Sequence, residues 1–373
     1  MESFNFNTRT QIVFGSGVLE RVGSIAESFG GHRILVISDA GVVAAGHPAR
    51  VTSSIEMCGL DAHLFMDVAQ NPTTQHVDAA FAFAEPLEVD LIVAIGGGSA
   101  IDCAKGVNFL LTNGGEMADY WGTNKAKKPM LPLIAIPTTA GTGSEAQSFA
   151  LISNAKTHRK MACGDPKAAP VVALLDPDLT LTQPATVTAL TGIDAIAHAL
   201  ETWVSSRRNP ISQLYSRESW KLLSSNFPKV LENPSGLEAR SAMLLGAHYA
   251  GVAIENSMLG AAHSCANPLT SHYDISHGAA VGLMLPAVIR FNAAEVSQLY
   301  SELSPHQTGP NQLAEYVEQL MGDADLPLRL CDHGVDQKAL PDLAREASLE
   351  WTANFNPRPV SAKELLEIYE CVS

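Results

Sequence analysis

The sequence has no continuous apolar run of the roughly 20 residues that a helix needs to cross a bilayer, so we expect no membrane-spanning segment. Its first residues do not place an apolar stretch after a basic one, so they show no secretory signal. The six cysteines are scattered and form no Cys-x-x-Cys pair, which favours reduced thiols over a disulfide framework. Together these absences predict a cytoplasmic protein.

Basic residues are also scarce, with 24 Lys and Arg against 39 Asp and Glu, for a formal net charge of −15. Because no basic stripe is present to neutralise phosphates, we expect no nucleic-acid partner. Apolar residues are plentiful at 46%. A chain of 373 residues exceeds the size at which one core usually suffices, which predicts two domains.

Short apolar runs alternate with helical patterns through the first half of the chain. These runs are residues 11–15, 33–39, 62–67, 90–95, 132–137 and 170–176. Such an alternation favours a parallel sheet covered on both faces, and hence a doubly wound α/β domain. After Pro184 long helical stretches take over, for example 237–266 and 278–291. The sequence therefore predicts an α/β domain at 1–183 and an all-helical domain at 184–373.

The strand at 90–95 runs directly into Gly96, Gly97, Gly98 and Ser99, which precede a helical pattern. The glycines have no side chains that would block access to the backbone, and the first N–H groups of the following helix are free to donate to a ligand. Both features suit an anion site for a pyrophosphate. Ser99 is also a favourable N-cap. The pattern is not G-x-G-x-x-G and follows a middle strand, so the Rossmann fingerprint is absent. A glycine turn needed only for packing remains the alternative.

Two other strand ends carry polar groups suited to the same crevice. Thr138 and Thr139 follow the strand at 132–137, and Asp39 closes the strand at 33–39. A carboxylate there is able to bind the ribose hydroxyls and repel a 2′-phosphate, which favours NAD over NADP. For the two threonines the alternative is an ordinary surface loop, and for Asp39 it is a simple helix or turn cap.

A candidate metal site begins with Asp194 and His198, which are four apart and share one helix face, ~6 Å along the axis. A carboxylate and an imidazole suit Fe(II), Zn(II) or a similar divalent ion. His263 and His277 would complete a four-ligand set with room for a substrate oxygen. On this spacing alone, an ordinary capped or salt-bridged pair is the alternative.

Taken together, these motifs resemble the iron-containing, metal-dependent alcohol dehydrogenase family. The resemblance extends over nearly the whole chain and rests on residues 14–15, 96–105, 137–145, 192–201, 263–277, 285–286, 291–292 and 356–359. It implies a dehydroquinate synthase-like architecture, with a dinucleotide domain, a helical metal-binding domain and catalysis in the cleft between them. It also implies NAD-linked hydride transfer to or from a small alcohol or aldehyde, and a homodimer or larger oligomer.

The resemblance assigns roles residue by residue. It implies that the metal ligands, which are also catalytic, are Asp194, His198, His263 and His277. It implies that the NAD contacts are Asp39, Asn71, Gly97, Gly98, Ser99, Thr138, Thr139, Phe149, Lys160 and Leu179. Many members have a second histidine four residues after the His263 position, near the nicotinamide and suspected of proton relay, where this chain has Asn267. Asparagine forms hydrogen bonds but does not titrate, so the proton path differs, and His272 is an alternative.

Three other functions remain open. A dehydroquinate synthase-like lyase would return the hydride within one turnover, although few basic residues are available to hold a phosphorylated acid. A metal-free reductase, such as the related maleylacetate reductases, is disfavoured by the complete ligand set. A non-catalytic nucleotide-binding protein is the third, and metal-dependent turnover would exclude it.

Overall fold

The computed structural model describes residues 3–7, 9–157 and 159–373, and it divides the chain into two compact units. The α/β unit spans Asn7–Gln183. The helical unit consists of Pro184–Ser373 together with the N-terminal segment that ends at Phe6. Phe6 belongs to the helical unit because its ring packs against Tyr215, with centroids 6.4 Å apart.

The strands all lie in the α/β unit among the described residues. In chain order they are β1 (Gln11–Phe14), β2 (Arg33–Ile37), β3 (Asp61–Phe65), β4 (Leu91–Gly96), β5 (Gly122–Thr123), β6 (Leu133–Pro137), β7 (Phe149–Ser153), β8 (Lys160–Gly164) and β9 (Val172–Leu175). Six of them form a sheet in the order β1-β9-β6-β4-β2-β3, and every neighbouring pair is parallel.

Both faces of this sheet are buried, as the continuous apolar runs predict. Along β4, Ile92 and Ala94 join one apolar cluster, while Leu91, Val93 and Ile95 join another. Because successive side chains of a strand point to opposite faces, the two clusters cover opposite sides of the sheet. The predicted doubly wound parallel sheet is confirmed.

The order of the strands creates a crevice between β2 and β4. The chain moves outward from β2 to β3, then returns to β4 on the other side of β2 and continues to β6 and β9. Open α/β sheets bind ligands at such a switch point, beyond the carboxyl ends of the strands. This places Asp39, after β2, beside the glycine turn after β4.

A second, three-stranded sheet was not predicted. It has the order β5-β8-β7, with β7 and β8 antiparallel. β7 and β8 have five residues each, as many as β2 and β6, but β7 alternates buried with partly exposed residues, which is a weaker signal than the continuous apolar runs of the main sheet.

The helices divide unequally between the units. The α/β unit has α1 (Val22–Ser28), α2 (Ala40–Ala44), α3 (His47–Met57), α4 (Thr74–Ala84) and α5 (Gly98–Asn113). The helical unit has α6 (Ala185–Val204), α7 (Pro210–Glu232), α8 (Leu237–Ser257), α9 (Ala261–Tyr273), α10 (His277–Leu303), α11 (Pro310–Asp323), α12 (Leu340–Ala347) and α13 (Ala362–Glu370). The all-helical character of the second domain is thus observed over its described residues.

The helical stretch predicted at 237–266 is wrong as a single element. It is two helices, α8 and α9, because Met258 takes a left-handed conformation (φ 68°) and Gly260 precedes α9. Helix α10 is longer than predicted and, in length and composition, is apolar enough to span a bilayer. Its apolar window is 72% buried, because it packs against α6, α9 and α11 as a core helix does.

Candidate metal and nucleotide sites

Helix α6 presents three polar side chains on one buried face. Asp194, His198 and Glu201 are spaced at i, i+4 and i+7, and each is no more than 5% exposed. The rest of the helix around them is mainly apolar and fully buried. Because buried polar groups are costly unless they have partners, this face indicates a site rather than ordinary packing.

The four predicted ligands converge around one carboxylate oxygen. Asp194 Oδ1 lies 3.5 Å from His198 Nε2, 3.5 Å from His263 Nε2 and 4.0 Å from His277 Nε2. Ligand atoms of Asp194, His263 and His277 all lie within 4.8 Å of one another. The structure therefore brings together residues that are far apart in the sequence.

Two glycines allow the helices that carry these histidines to approach α6. His263 lies in the first turn of α9, just after Gly260, where a Cβ atom would lie 3.1 Å from Glu201 Oε1. His277 begins α10, and a Cβ atom on the next residue, Gly278, would lie 2.0 Å from the Leu190 carbonyl oxygen. A side chain at Gly278 would push α10 away from α6, whereas one at Gly260 would require Asn356 and Glu201 to shift by a few tenths of an ångström.

Glu201 orients His263. The Nδ1 atom of His263 donates to Glu201 Oε2 at 2.5 Å, and the Ala262 amide donates to Glu201 Oε1 at 2.7 Å. With Nδ1 acting as the donor, Nε2 faces Asp194. Carboxylates that hold metal-binding histidines in this way fix the tautomer and increase the basicity of the ligand.

The donor set fits a divalent cation. Asp194 Oδ1 and His263 Nε2 are buried and form no hydrogen bond among the described residues. Burial raises the pKa of Asp194, but the imidazoles of His198, His263 and His277 outweigh it and hold that pKa well below its usual value. Burial lowers the pKa of His263, yet Glu201 and Asp194 raise it to about 9. One carboxylate and three imidazoles suit Fe(II) or Zn(II).

Asn267 lies one turn beyond His263 on α9, and its Nδ2 donates to Glu350 Oε2 at 2.8 Å. Its catalytic role stays a prediction. His272, the alternative, is half exposed in the last turn of α9 and pairs with Glu346 at 2.7 Å.

In the α/β unit, Asp39 lies beside the glycine turn. Its Oδ1 accepts from the Val42 amide and caps α2. Its Oδ2 would lie 3.1 Å from a Cβ atom on Gly96, whose positive φ of 154° favours glycine. A carboxylate is thus held at the switch point between β2 and β4.

The segment after β6 closes against the same turn. Cβ atoms on Gly97 and Gly98 would lie 3.5 Å from Thr139 and 2.6 Å from Thr142 Oγ1, respectively. The Thr138 amide donates to the Gly96 carbonyl at 3.0 Å.

Asn71 reaches the glycine turn from another loop, because its amide donates to Ser99 Oγ at 3.2 Å. The structure therefore brings together seven of the ten predicted NAD contacts, namely Asp39, Asn71, Gly97, Gly98, Ser99, Thr138 and Thr139.

The other three predicted NAD contacts have different surroundings. The Phe149 carbonyl accepts from Lys105, Lys160 is exposed at the start of β8, and the Leu179 side chain is fully buried in the sheet core. Their contacts with NAD stay predictions. Sequence reasoning missed Glu201, although its i+7 spacing from Asp194 was a signal, and it also missed Thr142 within the predicted loop.

Comparisons with known proteins identify the family of the chain. The family model described as iron-containing alcohol dehydrogenase matches residues 9–177, and the model described as Fe-containing alcohol dehydrogenase family, C-terminal, matches residues 188–372. The chain is 31% identical to the NAD-dependent methanol dehydrogenase of Bacillus methanolicus, over 98% of each chain.

Two solved structures are similar over almost their whole length. The structure of a 1,3-propanediol oxidoreductase has a TM-score of 0.96 and 28% identity, and the match covers 100% of both chains. The sulfoacetaldehyde reductase of Bifidobacterium kashiwanohense in complex with NAD⁺ has a TM-score of 0.91 and 28% identity, covering 100% of this chain and 99% of that one.

Proposed function

The chain belongs to the iron-containing alcohol dehydrogenase family, and from this premise we propose which residues carry the reaction. The protein is an NAD-dependent oxidoreductase of the alcohol dehydrogenase type. The observation that supports our assignment most strongly is the buried set of one carboxylate and three imidazoles around Asp194 Oδ1. We assign the metal to the helical unit and NAD to the crevice of the α/β unit.

When bound, the divalent ion supplies Lewis acidity at the substrate oxygen, and NAD supplies the hydride acceptor or donor. In our proposal Asp194, His198, His263 and His277 hold the ion. Glu201 keeps the His263 proton on Nδ1, so that Nε2 is available as a ligand. Asn267 is placed one turn from His263 to form hydrogen bonds near the reacting groups, without titrating itself.

The bound nucleotide is oriented by backbone and carboxylate groups. The bare amides of the glycine turn bind the pyrophosphate, and Asp39 binds the ribose hydroxyls.

The substrate that we propose is a small alcohol or the corresponding carbonyl compound. The relatives named above act on methanol, 1,3-propanediol and sulfoacetaldehyde according to their names, which supports a short substrate. The ligand set accommodates either iron or zinc.

A metal assay combined with turnover tests the metal assignment. We expect one divalent ion per chain, NADH released from a panel of small alcohols, and activity that is lost on chelation and restored by Fe(II) or Zn(II). His263→Ala should lose metal and activity but still bind NAD, whereas His272→Ala, on the same helix, should retain the metal. Equal metal content in both variants would overturn the assignment.

The same assay separates the alternatives. Metal-dependent release of NADH excludes a lyase that returns its hydride within the turnover, and also a protein that only binds nucleotide. Full activity after removal of the metal would instead identify a metal-free reductase.

The Asp39 assignment has its own test. Asp39→Asn keeps an oxygen that caps α2 but removes the charge that opposes a 2′-phosphate. The ratio of kcat/KM for NADP to that for NAD should rise about tenfold or more, since a like-charge juxtaposition costs several kcal/mol. Asp39→Glu, which keeps the charge, is the control. An unchanged ratio in Asp39→Asn would place the ribose elsewhere.

We also propose that the protein is cytoplasmic and forms a homodimer or larger oligomer. The edge strand β1 supports an assembly, because Ile12 and Phe14 expose 40% and 42% of their surface on the same face. Light scattering should give at least twice the chain mass of 39.6 kDa, and a monomer would refute the proposal.

A further inference from the structure

A fully buried lysine lies within α5, behind the glycine turn. Lys105 Nζ donates to three oxygens of the segment after β6, at 2.7 Å to the Ser144 carbonyl, 2.9 Å to Ser144 Oγ and 2.8 Å to the Phe149 carbonyl. Its side chain has no exposed surface. A buried ammonium group is unfavourable unless it is paired and hydrogen-bonded, so this arrangement is a built feature of the fold.

Asp102 supplies the opposite charge, one turn earlier on the same helix. Its Oδ1 lies 3.8 Å from Lys105 Nζ and accepts from Ser144 Oγ at 2.5 Å. Its Oδ2 accepts from the Leu151 amide at 3.2 Å. Asp102, Lys105 and Ser144 thus form one buried network, which we call the clamp, and it ties residues 144–151 to α5.

The clamp lies next to both loops of the proposed nucleotide site, because it joins α5, which follows the glycine turn, to the residues that follow Thr142. Helix α5 starts at Gly98, immediately after the glycine turn. The segment that ends at Ser144 carries Thr139 and Thr142, which press against Gly97 and Gly98. The two loops are in close contact, since a Cβ atom on Gly98 would lie only 2.6 Å from Thr142 Oγ1. A small outward shift of the segment would therefore widen the space between the loops, where we place the pyrophosphate.

We propose that Asp102, Lys105 and Ser144 are positioning residues for the dinucleotide, which hold the Thr139–Thr142 loop at a fixed distance from the glycine turn. This inference rests on the proposed nucleotide site and deepens it. The clamp touches no substrate, and it acts through the backbone that it immobilises. Networks of this kind keep a binding site within the narrow tolerance that tight binding requires.

Ser144→Ala is the most conservative test, because it removes both hydroxyl contacts and leaves the bond from Lys105 to the Ser144 carbonyl. The Kd for NAD should rise about five- to tenfold, the order expected for the net loss of one ordinary hydrogen bond. Metal content, and the KM for the alcohol at saturating NAD, should be unchanged. Without NAD, hydrogen exchange should become faster at the amides of residues 139–149.

The side chain of Asn108 provides a matched control on the same helix. Its Nδ2 donates to the Leu131 carbonyl at 2.9 Å, and its Oδ1 accepts from the Leu131 amide at 3.0 Å. Asn108→Ala therefore removes a comparable buried tie that reaches neither nucleotide loop. It should lower the unfolding temperature and leave the Kd for NAD unchanged.

A second pair of variants keeps the test decisive if Ser144→Ala does not fold. Asp102→Asn retains the oxygen that accepts from Ser144, so it should bind NAD more tightly than Asp102→Ala. Two outcomes would overturn the clamp: a Kd within about twofold of wild type in Ser144→Ala, or an equal rise in Asn108→Ala. Wild-type protein that bound no NAD would overturn the proposed nucleotide site itself, and the clamp with it.

Discussion

Glu201 contacts the proposed metal ligand His263, and its negative charge distinguishes it from an ordinary hydrogen-bond acceptor. It accepts from His263 Nδ1 and from the amide that precedes His263, so it fixes both the ring and the start of α9. We predict that Glu201→Gln lowers the metal affinity about ten- to a hundredfold, because the side chain then has one oxygen for two donors and lacks the charge that increases the basicity of the ring. Competition with a chelator, followed by metal analysis, measures this.

Glu346→Gln is the matched control for that variant. Glu346 pairs with His272 at 2.7 Å, a carboxylate–imidazole pair whose side chains are 43% and 50% exposed, respectively. Its metal affinity should equal that of wild type. If both variants lowered the metal affinity to the same extent, the effect would reflect the overall charge of the protein and not the orientation of His263.

Two buried thiols provide a prediction about reactivity. Burial, reinforced by the nearby Asp102 carboxylate, raises the pKa of Cys103 to about 12, and burial likewise raises the pKa of Cys163 to about 12. The thiolate is the reactive form, so iodoacetamide at pH 8 should modify neither residue in the folded protein. The exposed Cys331 and Cys371 should react readily.

Peptide mass spectrometry before and after unfolding distinguishes these sites. Labelling of Cys103 or Cys163 at the rate of the exposed thiols would mean that the sheet core around them opens in the native state. A disulfide at any of the six positions would contradict the reduced state that their spacing predicts.

At the scale of elements, the metal site depends on the crossing of α6 and α10. Gly278 lies at this crossing, and any Cβ atom would meet the Leu190 carbonyl at 2.0 Å. The Leu190 carbonyl belongs to the backbone and does not rotate away as a side chain would. Gly278→Ala must therefore push α10, and with it His277, away from Asp194. We predict a loss of stability of about 1–3 kcal/mol, as for other overpacked positions, and a fall in metal content.

Gly322→Ala in α11 is the control for Gly278→Ala, because a Cβ atom on Gly322 would meet nothing within 4 Å. Gly322→Ala should leave stability unchanged or raise it by up to about 1 kcal/mol, since alanine favours the helix. Denaturant unfolding and metal analysis of the two variants provide the comparison. Full metal content and stability in Gly278→Ala would show that α10 has room to shift without moving His277.

The elements also show where sequence reasoning is strong. The buried strands of the main sheet are evident because continuous apolar runs end in glycine or polar residues, as β4 does before Gly97. The division between α8 and α9 is less evident, because Met258 has no sequence signature of a left-handed residue. The small sheet is missed for another reason: β7 alternates buried with partly exposed residues and β8 begins with an exposed lysine, so neither forms a continuous apolar run.

For the candidate sites, residue type and spacing predict the ligands but not the residues that support them. Asp194 and His198 are recognisable as a pair because both lie on one helix. Glu201 contributes through a contact with a residue 62 positions away, and the clamp through contacts about 40 positions away. Such long-range partners are set by helix crossings and strand order, which local periodicity does not encode.

For the molecule as a whole, the two proposed cofactor sites fall in different units. All four predicted metal ligands lie within the helical unit, and all ten predicted NAD contacts lie within the α/β unit. A ligand stabilises the structure that binds it, by about 2.7 kcal/mol at a hundred times its Kd. The metal and NAD should therefore protect different parts of the chain from hydrogen exchange.

We predict that removal of the metal accelerates exchange mainly in α6, α9 and the start of α10, while NAD slows it mainly around the glycine turn and the segment after β6. Hydrogen-exchange mass spectrometry with and without each ligand measures both effects on one sample. His263→Ala is the decisive variant, because it should abolish the effect of the metal and retain that of NAD. If the variant also lost the protection by NAD, the nucleotide site would depend on the metal site, and the assignment of each cofactor to a single unit would be wrong.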